Sequence, residues 1–200
     1  MSSSDKPIRA DPVDIARASL AEIARAVAAK RLPPVDSWNP AHCGDSEMRI
    51  AADGTWFHQG SPIGRQALVR LFSTVLRREA DGSHVLVTPV EKLSIEVEDA
   101  PFLAVDLSTT GSGKDRTLVF RLLSDDVVIA GPEHPLRIET AADGTPRPYL
   151  HVRGSPDRAL EALINRPVFY QLAELALAEQ TTTSAPLGLW SGGMFFAFTD

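Results

Sequence analysis

His42, Cys43, Asp45 and His58 fall within a short span and carry the side-chain types of two chemistries, a metal site or a thiol nucleophile with its base. Metal ligation needs three or four convergent ligands. His84, His134 and His151 show no regular ligand spacing with that group, so no structural or catalytic metal is expected. A thiol nucleophile needs a depressed pKa, a nearby base and an oxyanion site. Cys43 is followed by Gly44, which also fits a small buried residue at a turn. Cys43 and Asp45 are therefore kept as candidate reactive residues, and no residue is assigned a catalytic role.

A second group suits binding. Trp56 and His58 are two apart on a strand-like run, so they leave one face while Phe57 leaves the other. Tyr149, His151 and Arg153 repeat the arrangement further along. A flat ring beside hydrogen-bonding and basic groups stacks and orients a base or other planar ligand. The alternative for Trp56 is burial in the core. Arg49, Arg65 and Arg153 are candidate anion contacts, because the guanidinium fork matches carboxylate and phosphate geometry. Ion pairs with Asp45 or Asp53 are the other reading. The candidate ligand-binding set is thus Arg49, Trp56, His58, Arg65, Tyr149 and Arg153. Gly111 to Asp115, "GSGKD", has the look of a phosphate loop, but Ser108 stands where its first glycine belongs and Asp115 where its hydroxyl belongs. It lies between strand-like runs, so a hairpin turn is expected.

These residues need elements to position them. Asp11 to Arg31 has the cap, the Pro12 and the apolar spacing of an amphipathic helix. Met48 to Gln59 reads as a hairpin about Asp53-Gly54, and Ser61-Pro62 as the start of a helix running to Arg78 with Arg65 early in it. Seven strand-like runs follow from His84 to Arg153: "HVLVTP", "KLSIEVED", "FLAVDLSTT", "RTLVFRLLS", "DVVIAG", "LRIETA" and "RPYLHVR". Ser155-Pro156 again reads as a helix start, and "PVFYQLAELALAEQ" as a further helical piece. The apolar tail from Ala185 must pack on the body, pair as a strand or meet a protein partner, and packing on the body is favoured.

The order R-I, A-D-G-T, G-S-P occurs twice, from Arg49 and from Arg137. It predicts a duplicated hairpin-helix unit, with a ligand at the seam between the copies near Trp56, His58, Arg65 and Arg49. The expected fold is α+β: an N-terminal helix and a hairpin-helix unit packed on a roughly seven-stranded antiparallel barrel or meander with C-terminal helices. That outline is pleckstrin-homology-like, an analogy at fold level that licenses no function. The division is residues 1–82 and 83–200.

A formal net charge of −6 argues against a general duplex-nucleic-acid binder, since neutralising phosphates needs a basic face, and leaves room for a local basic pocket. A single cysteine suits a reducing compartment, and neither a signal peptide nor a membrane span is legible, so a cytoplasmic protein is expected.

"CGDSEMRIAADGTWFHQGSPIGRQALVRLFSTVLRRE" and "VTPVEKLSIEVEDAPFLAVDL" resemble the signature segments of the bacterial family catalogued as domain of unknown function 1285, found widely in proteobacteria. The resemblance covers Trp38 to about Leu107. It implies a two-part protein with a duplicated motif and a C-terminal part superficially like pleckstrin-homology domains, a nucleotide-like ligand at the domain interface, and a signalling role. The functional expectation is a non-enzymatic small-ligand sensor or adaptor. The alternatives are an enzyme using Cys43 and a histidine on a nucleotide-like or acyl substrate, and a protein-interaction module working through the barrel and tail.

Overall fold

The structure, a computed structural model, describes residues 32–180 and 186–198. The helix expected over Asp11 to Arg31 lies outside the described residues.

The two A-D-G-T segments make the same turn. In the first, Gly54 N–H donates to Ala51 O and Ala51 N–H to Thr55 O, each at 2.9 Å, and Asp53 Oδ1 accepts from Thr55 N–H at 2.9 Å. Ala141 to Thr145 repeats all three bonds at 2.9 Å. Gly54 and Gly144 sit at φ 82° and 80°, a left-handed conformation that costs a side chain energy and glycine nothing.

The first turn joins β1 (His42–Ile50) to β2 (Trp56–His58), and β3 (Ser61–Pro62) adds to β2. Helix α1 (Gln66–Thr74) follows, then β4 (Leu76–Arg78), β5 (His84–Val87) and β6 (Glu91–Val97). The six form one sheet in the order β3-β2-β1-β6-β5-β4, with β1 and β6 parallel. The second sheet is built from β7 (Phe102–Thr110), β8 (Thr117–Leu122), β9 (Val127–Ile129), β10 (Leu136–Thr140), β11 (Pro146–Arg153) and β12 (Leu160–Ile164). Its order is β10-β11-β12-β7-β8-β9, with β12 and β7 parallel. Helix α2 (Arg166–Glu179) and a terminal hairpin, β13 (Gly188–Ser191) and β14 (Met194–Ala197), complete the described chain.

The expected fold class is overturned. The described chain is mostly β, with two α-helices and sheets of six, six and two strands, and not a set of helices packed on one seven-stranded barrel. Every one of the seven strand-like runs is a strand, but β5 and β6 hydrogen-bond into the first sheet and the other five into the second. The first sheet therefore runs to Val97, past the sequence-level division at residue 82.

The Ser-Pro helix starts are also corrected. Ser61 and Pro62 form the short strand β3, and α1 begins at Gln66 with Arg65 outside it in extended backbone. The helix ends at Thr74, since Leu76 to Arg78 pair with β5. Ser155-Pro156 opens a 3-10 turn over Pro156–Arg158 that feeds β12, whose burial alternates. The true start of α2 is capped by Asn165, whose Oδ1 accepts from Val168 N–H at 3.0 Å.

In both copies a hairpin is followed by a third antiparallel strand and then a helix. They join the rest of their sheets differently. The first hairpin attaches through its first strand, β1, whereas the second unit attaches through its third, β12. One apolar core runs through both halves, including Ile50, Trp56 and Leu76 from the first and Phe120, Leu150 and Leu172 from the second. The tail packs on the second sheet: Ser191, fully buried, accepts from Leu118 N–H at 2.8 Å and donates to Ala130 O at 2.7 Å. Among the described residues no helix is long and apolar enough to cross a membrane.

Candidate functional site

The larger of two described clefts lies on the first sheet, along β1, β2 and β6. It encloses about 740 Å³ and is lined by Asp45, Glu47, Met48, Arg49, Phe57, Gln59, Gly60, Ser94, Ile95 and Glu96. A bulge builds it. The β1–β6 register shifts between Asp45 and Arg49, and Ser46 Oγ crosses to Ser94 O at 2.6 Å to hold the shifted segment. Asp45 Oδ1 accepts from Glu47 N–H at 2.9 Å, closing a local turn. Bulges re-aim side chains and recur beside functional sites.

Two of the three described non-glycine residues with positive φ meet here, Glu47 at 52° and Gln59 at 49°. Gln59 N–H donates to Glu47 O at 2.9 Å, and the Gln59 side-chain amide donates to the Glu47 carboxylate. Holding side chains in that region costs about 1–3 kcal/mol each. Beside them the Arg49 guanidinium lies 4.4 Å from the Phe57 ring centroid and pairs with Glu98. With Arg49 neutralised by Glu98, the carboxylates of Asp45, Glu47 and Glu96 leave the cleft negative in balance. It suits hydroxyl and amine donors and disfavours phosphate.

The sequence-level candidates are dispersed. Arg49 and Asp45 line this cleft. Trp56 does not: it is 4% exposed and stacks on Phe72, with centroids 6.4 Å apart at 18°, so its role is packing. His58, although it follows by two, is exposed near the sheet edge and lines neither described cleft. Arg65 is exposed; its carbonyl accepts from Leu68 N–H at 2.9 Å, but its guanidinium makes no hydrogen bond or ion pair with another described residue. Cys43 is exposed within β1, not buried at a turn. Among the described residues no group of three or more His, Cys, Asp and Glu is placed to hold a metal ion.

Tyr149 and Arg153 are structural in their contacts. Tyr149 is buried and its hydroxyl donates to Asp99 Oδ1 at 2.8 Å; burial and the neighbouring carboxylate push its pKa up to about 12. Arg153 reaches from the second sheet to the end of α1, donating to Ser73 O and, at 3.2 Å, to Leu76 O. Desolvation lowers its pKa to about 10. With Gln66 Nε2 on Leu123 O at 3.0 Å and the Arg70–Asp125 ion pair, it locks the halves together where a ligand seam had been expected. The two described clefts are each lined from one half only.

Family models cover almost all of the described residues. Residues 33–100 match the N-terminal domain of a domain of unknown function, DUF1285, and residues 101–198 match the C-terminal domain of the same family of unknown function. The chain belongs to the DUF1285 family. Its structure resembles the crystal structure of a DUF1285 family protein from Silicibacter pomeroyi DSS-3, with 47% identity, a TM-score of 0.75, and coverage of 90% of this chain and 94% of that one. A DUF1285 family protein from Shewanella baltica OS155 matches at 25% identity and a TM-score of 0.48, covering 64% of this chain and 91% of that one. No curated protein matches. The boundary between the two family domains, at residues 100 and 101, falls between β6 and β7, where one sheet ends and the next begins.

Sequence reasoning missed Phe57, Glu47, Gln59 and Glu96. Phe57 carried a signal, since it alternates with Trp56 and the pair could be assigned to faces only by knowing which side is covered. The left-handed Glu47 and Gln59 carried none, because neither is a residue type that announces positive φ.

Proposed function

We propose that this DUF1285 protein is a non-enzymatic small-ligand sensor or adaptor whose ligand occupies the first-sheet cleft. The ligand class is planar and rich in hydroxyl or amine donors, of nucleoside rather than nucleotide type. The carrying observation is the pairing of an aromatic platform, Phe57 under Arg49, with the carboxylates of Asp45, Glu47 and Glu96 in one cleft. A base stacks on such a platform, and carboxylates take the hydroxyls of a sugar. The volume of about 740 Å³ falls in the range of small-molecule sites. A place in bacterial signal transduction belongs to the same reading.

Thermal-shift and calorimetric titration with adenosine, guanosine, cytidine and uridine, each beside its 5′-monophosphate, tests this. A nucleoside at a hundred times its Kd should stabilise by about 2.7 kcal/mol, and Phe57→Ala should abolish the effect with the fold retained. Tighter binding of the phosphorylated partner, or unchanged binding in Phe57→Ala, refutes the assignment.

A further inference from the structure

The second cleft, about 280 Å³, lies between the second A-D-G-T turn and the start of α2. Its charged lining is mixed in sign: Asp143 from the turn, Arg147 from β11 and Arg166 from α2. Pro146, Pro148 and Phe169 supply an apolar wall. The Arg166 guanidinium has no hydrogen bond or ion pair with another described residue. Arg147 gives one nitrogen, Nη2, to Asp99 Oδ2 at 2.6 Å and keeps its other donors. Asp143 Oδ1 accepts from Thr145 N–H, and the backbone and side-chain hydrogen bonds of Thr145 together hold its carboxyl below the usual range, so it is ionised at neutral pH on the exposed rim of the cleft.

The end of α2 adds little of its own. Val168 N–H is already taken by Asn165 Oδ1, and Pro167 has no N–H to offer. Of the first helical positions only the Arg166 N–H is left, so recognition rests chiefly on the side chains, two guanidiniums and one carboxylate around an apolar wall. A phosphate would satisfy the arginines but meet repulsion from Asp143. A monocarboxylate would leave Asp143 unused, and an amine would leave Arg166 unused. A molecule carrying both charges uses all three, and a cleft just under the usual 300 Å³ or so for drug-sized ligands limits it to a small one.

We infer that this cleft is a binding site for a small zwitterion of the α-amino-acid type, with its carboxylate on Arg166 and Arg147, its ammonium on Asp143 Oδ2, and an apolar side chain against Pro146, Pro148 and Phe169. The site is separate from the first-sheet cleft and does not depend on what binds there.

The test is a titration of the full ¹⁵N-labelled chain with the apolar and aromatic L-amino acids, one at a time, reading the backbone amides of Asp143 to Thr145 and of Arg166 to Phe169. At least one amino acid should give saturable shifts there. Its carboxamide and its N-acetyl derivative, which each lack one charge, should bind about tenfold or more weakly. Arg166→Gln should lose affinity by a similar factor. So should Asp143→Asn, which keeps the side-chain acceptor for Thr145 N–H and therefore the turn. Absence of shifts with every amino acid up to its solubility overturns the inference, as does equal binding of the singly charged derivatives or saturable binding of inorganic phosphate alone. Phe57 reports the first cleft in the same spectra, so failure at one site is read apart from failure at the other.

Discussion

Glu98 and Asp99 are adjacent in the sequence, yet their carboxylates hold different hairpins. Glu98 accepts from Arg49 and, at 3.0 Å, from Ala52 N–H, both on the first hairpin. Asp99 accepts from Arg147 at 2.6 Å and Tyr149 at 2.8 Å, both on the second. Each hairpin also carries a cross-strand arginine on an aromatic ring, Arg49 over Phe57 at 4.4 Å and Arg137 over Tyr149 at 4.5 Å. The joint between the two family domains is thus the point where the repeated units are tied to each other.

The two carboxylates differ in burial, and their removal should differ accordingly. The Asp99 side chain is 11% exposed and the Glu98 side chain 38%. Asp99→Ala strands the buried Tyr149 hydroxyl and is expected to cost about 1.5–3 kcal/mol. Glu98→Ala loses an exposed pair and should cost less than about 1 kcal/mol. Urea denaturation of the two variants decides it, and in the Asp99→Ala background Tyr149→Phe should add little. Equal losses from Glu98→Ala and Asp99→Ala would contradict the assignment.

Ser191 anchors the terminal hairpin through one buried oxygen. Ser191→Ala leaves Leu118 N–H and Ala130 O without that partner in a dry setting, at about 1–3 kcal/mol for each group. A lowered melting temperature and faster hydrogen exchange at Leu118 and across β13 should accompany the loss. A variant as stable as the wild type would mean that these two hydrogen bonds contribute nothing, with the tail held instead by contacts such as the buried Leu189 and Phe196.

The strands were legible because their signal is local. Seven runs with β-forming residues between turn residues became seven strands, and the two A-D-G-T turns formed as their Asp-Gly pairs require. Grouping was not legible, because the parallel contacts β1 with β6 and β12 with β7 join segments far apart in sequence, with no turn chemistry to mark them. At Ser155-Pro156 the capping rule was followed where a period-two signal was available: in Leu160 to Ile164, Leu160, Ala162 and Ile164 are buried and Glu161 and Leu163 less so. At Ser61-Pro62, pairing with β2 prevailed over the cap preference. Of the candidate site, Arg49 and Asp45 were found from their chemistry. The rest depends on a bulge and on left-handed residues that only tertiary pairing specifies.

Trp56 belongs to the core that both halves share. Trp56→Ala removes a buried ring stacked on Phe72 and is expected to cost about 3–5 kcal/mol. Trp56→Phe, which keeps an aromatic in the gap, should cost less. Ligand titrations of Trp56→Phe should match the wild type in affinity, because the residue lines neither described cleft. A large change in affinity with stability retained would return Trp56 to the binding site.

His84 should make the fold sensitive to mild acid. It pairs with Arg78 across β4 and β5, and burial, with the nearby Arg78 charge, lowers its pKa from the ordinary 6.5 to about 4. Above pH 6.5 the ring is neutral in both the folded and unfolded chain and contributes no pH dependence. Between pH 6.5 and about 4 the unfolded chain binds a proton that the folded one refuses, so stability falls as pH falls through that window. Because the ring is partly open to solvent, the full shift overstates the effect, and a loss of about 1–2 kcal/mol is the expected size. His134, also lowered by burial, adds in the same direction. The carboxylates held low by their own turns, such as Asp53 and Asp143, lose their contribution only at more acid pH. Urea midpoints measured from pH 7.5 to 4 should therefore decline in the wild type and decline less in His84→Gln. A His84 ring that titrates near 6.5 by NMR, or a His84→Gln profile parallel to the wild type, would assign the acid sensitivity to other groups.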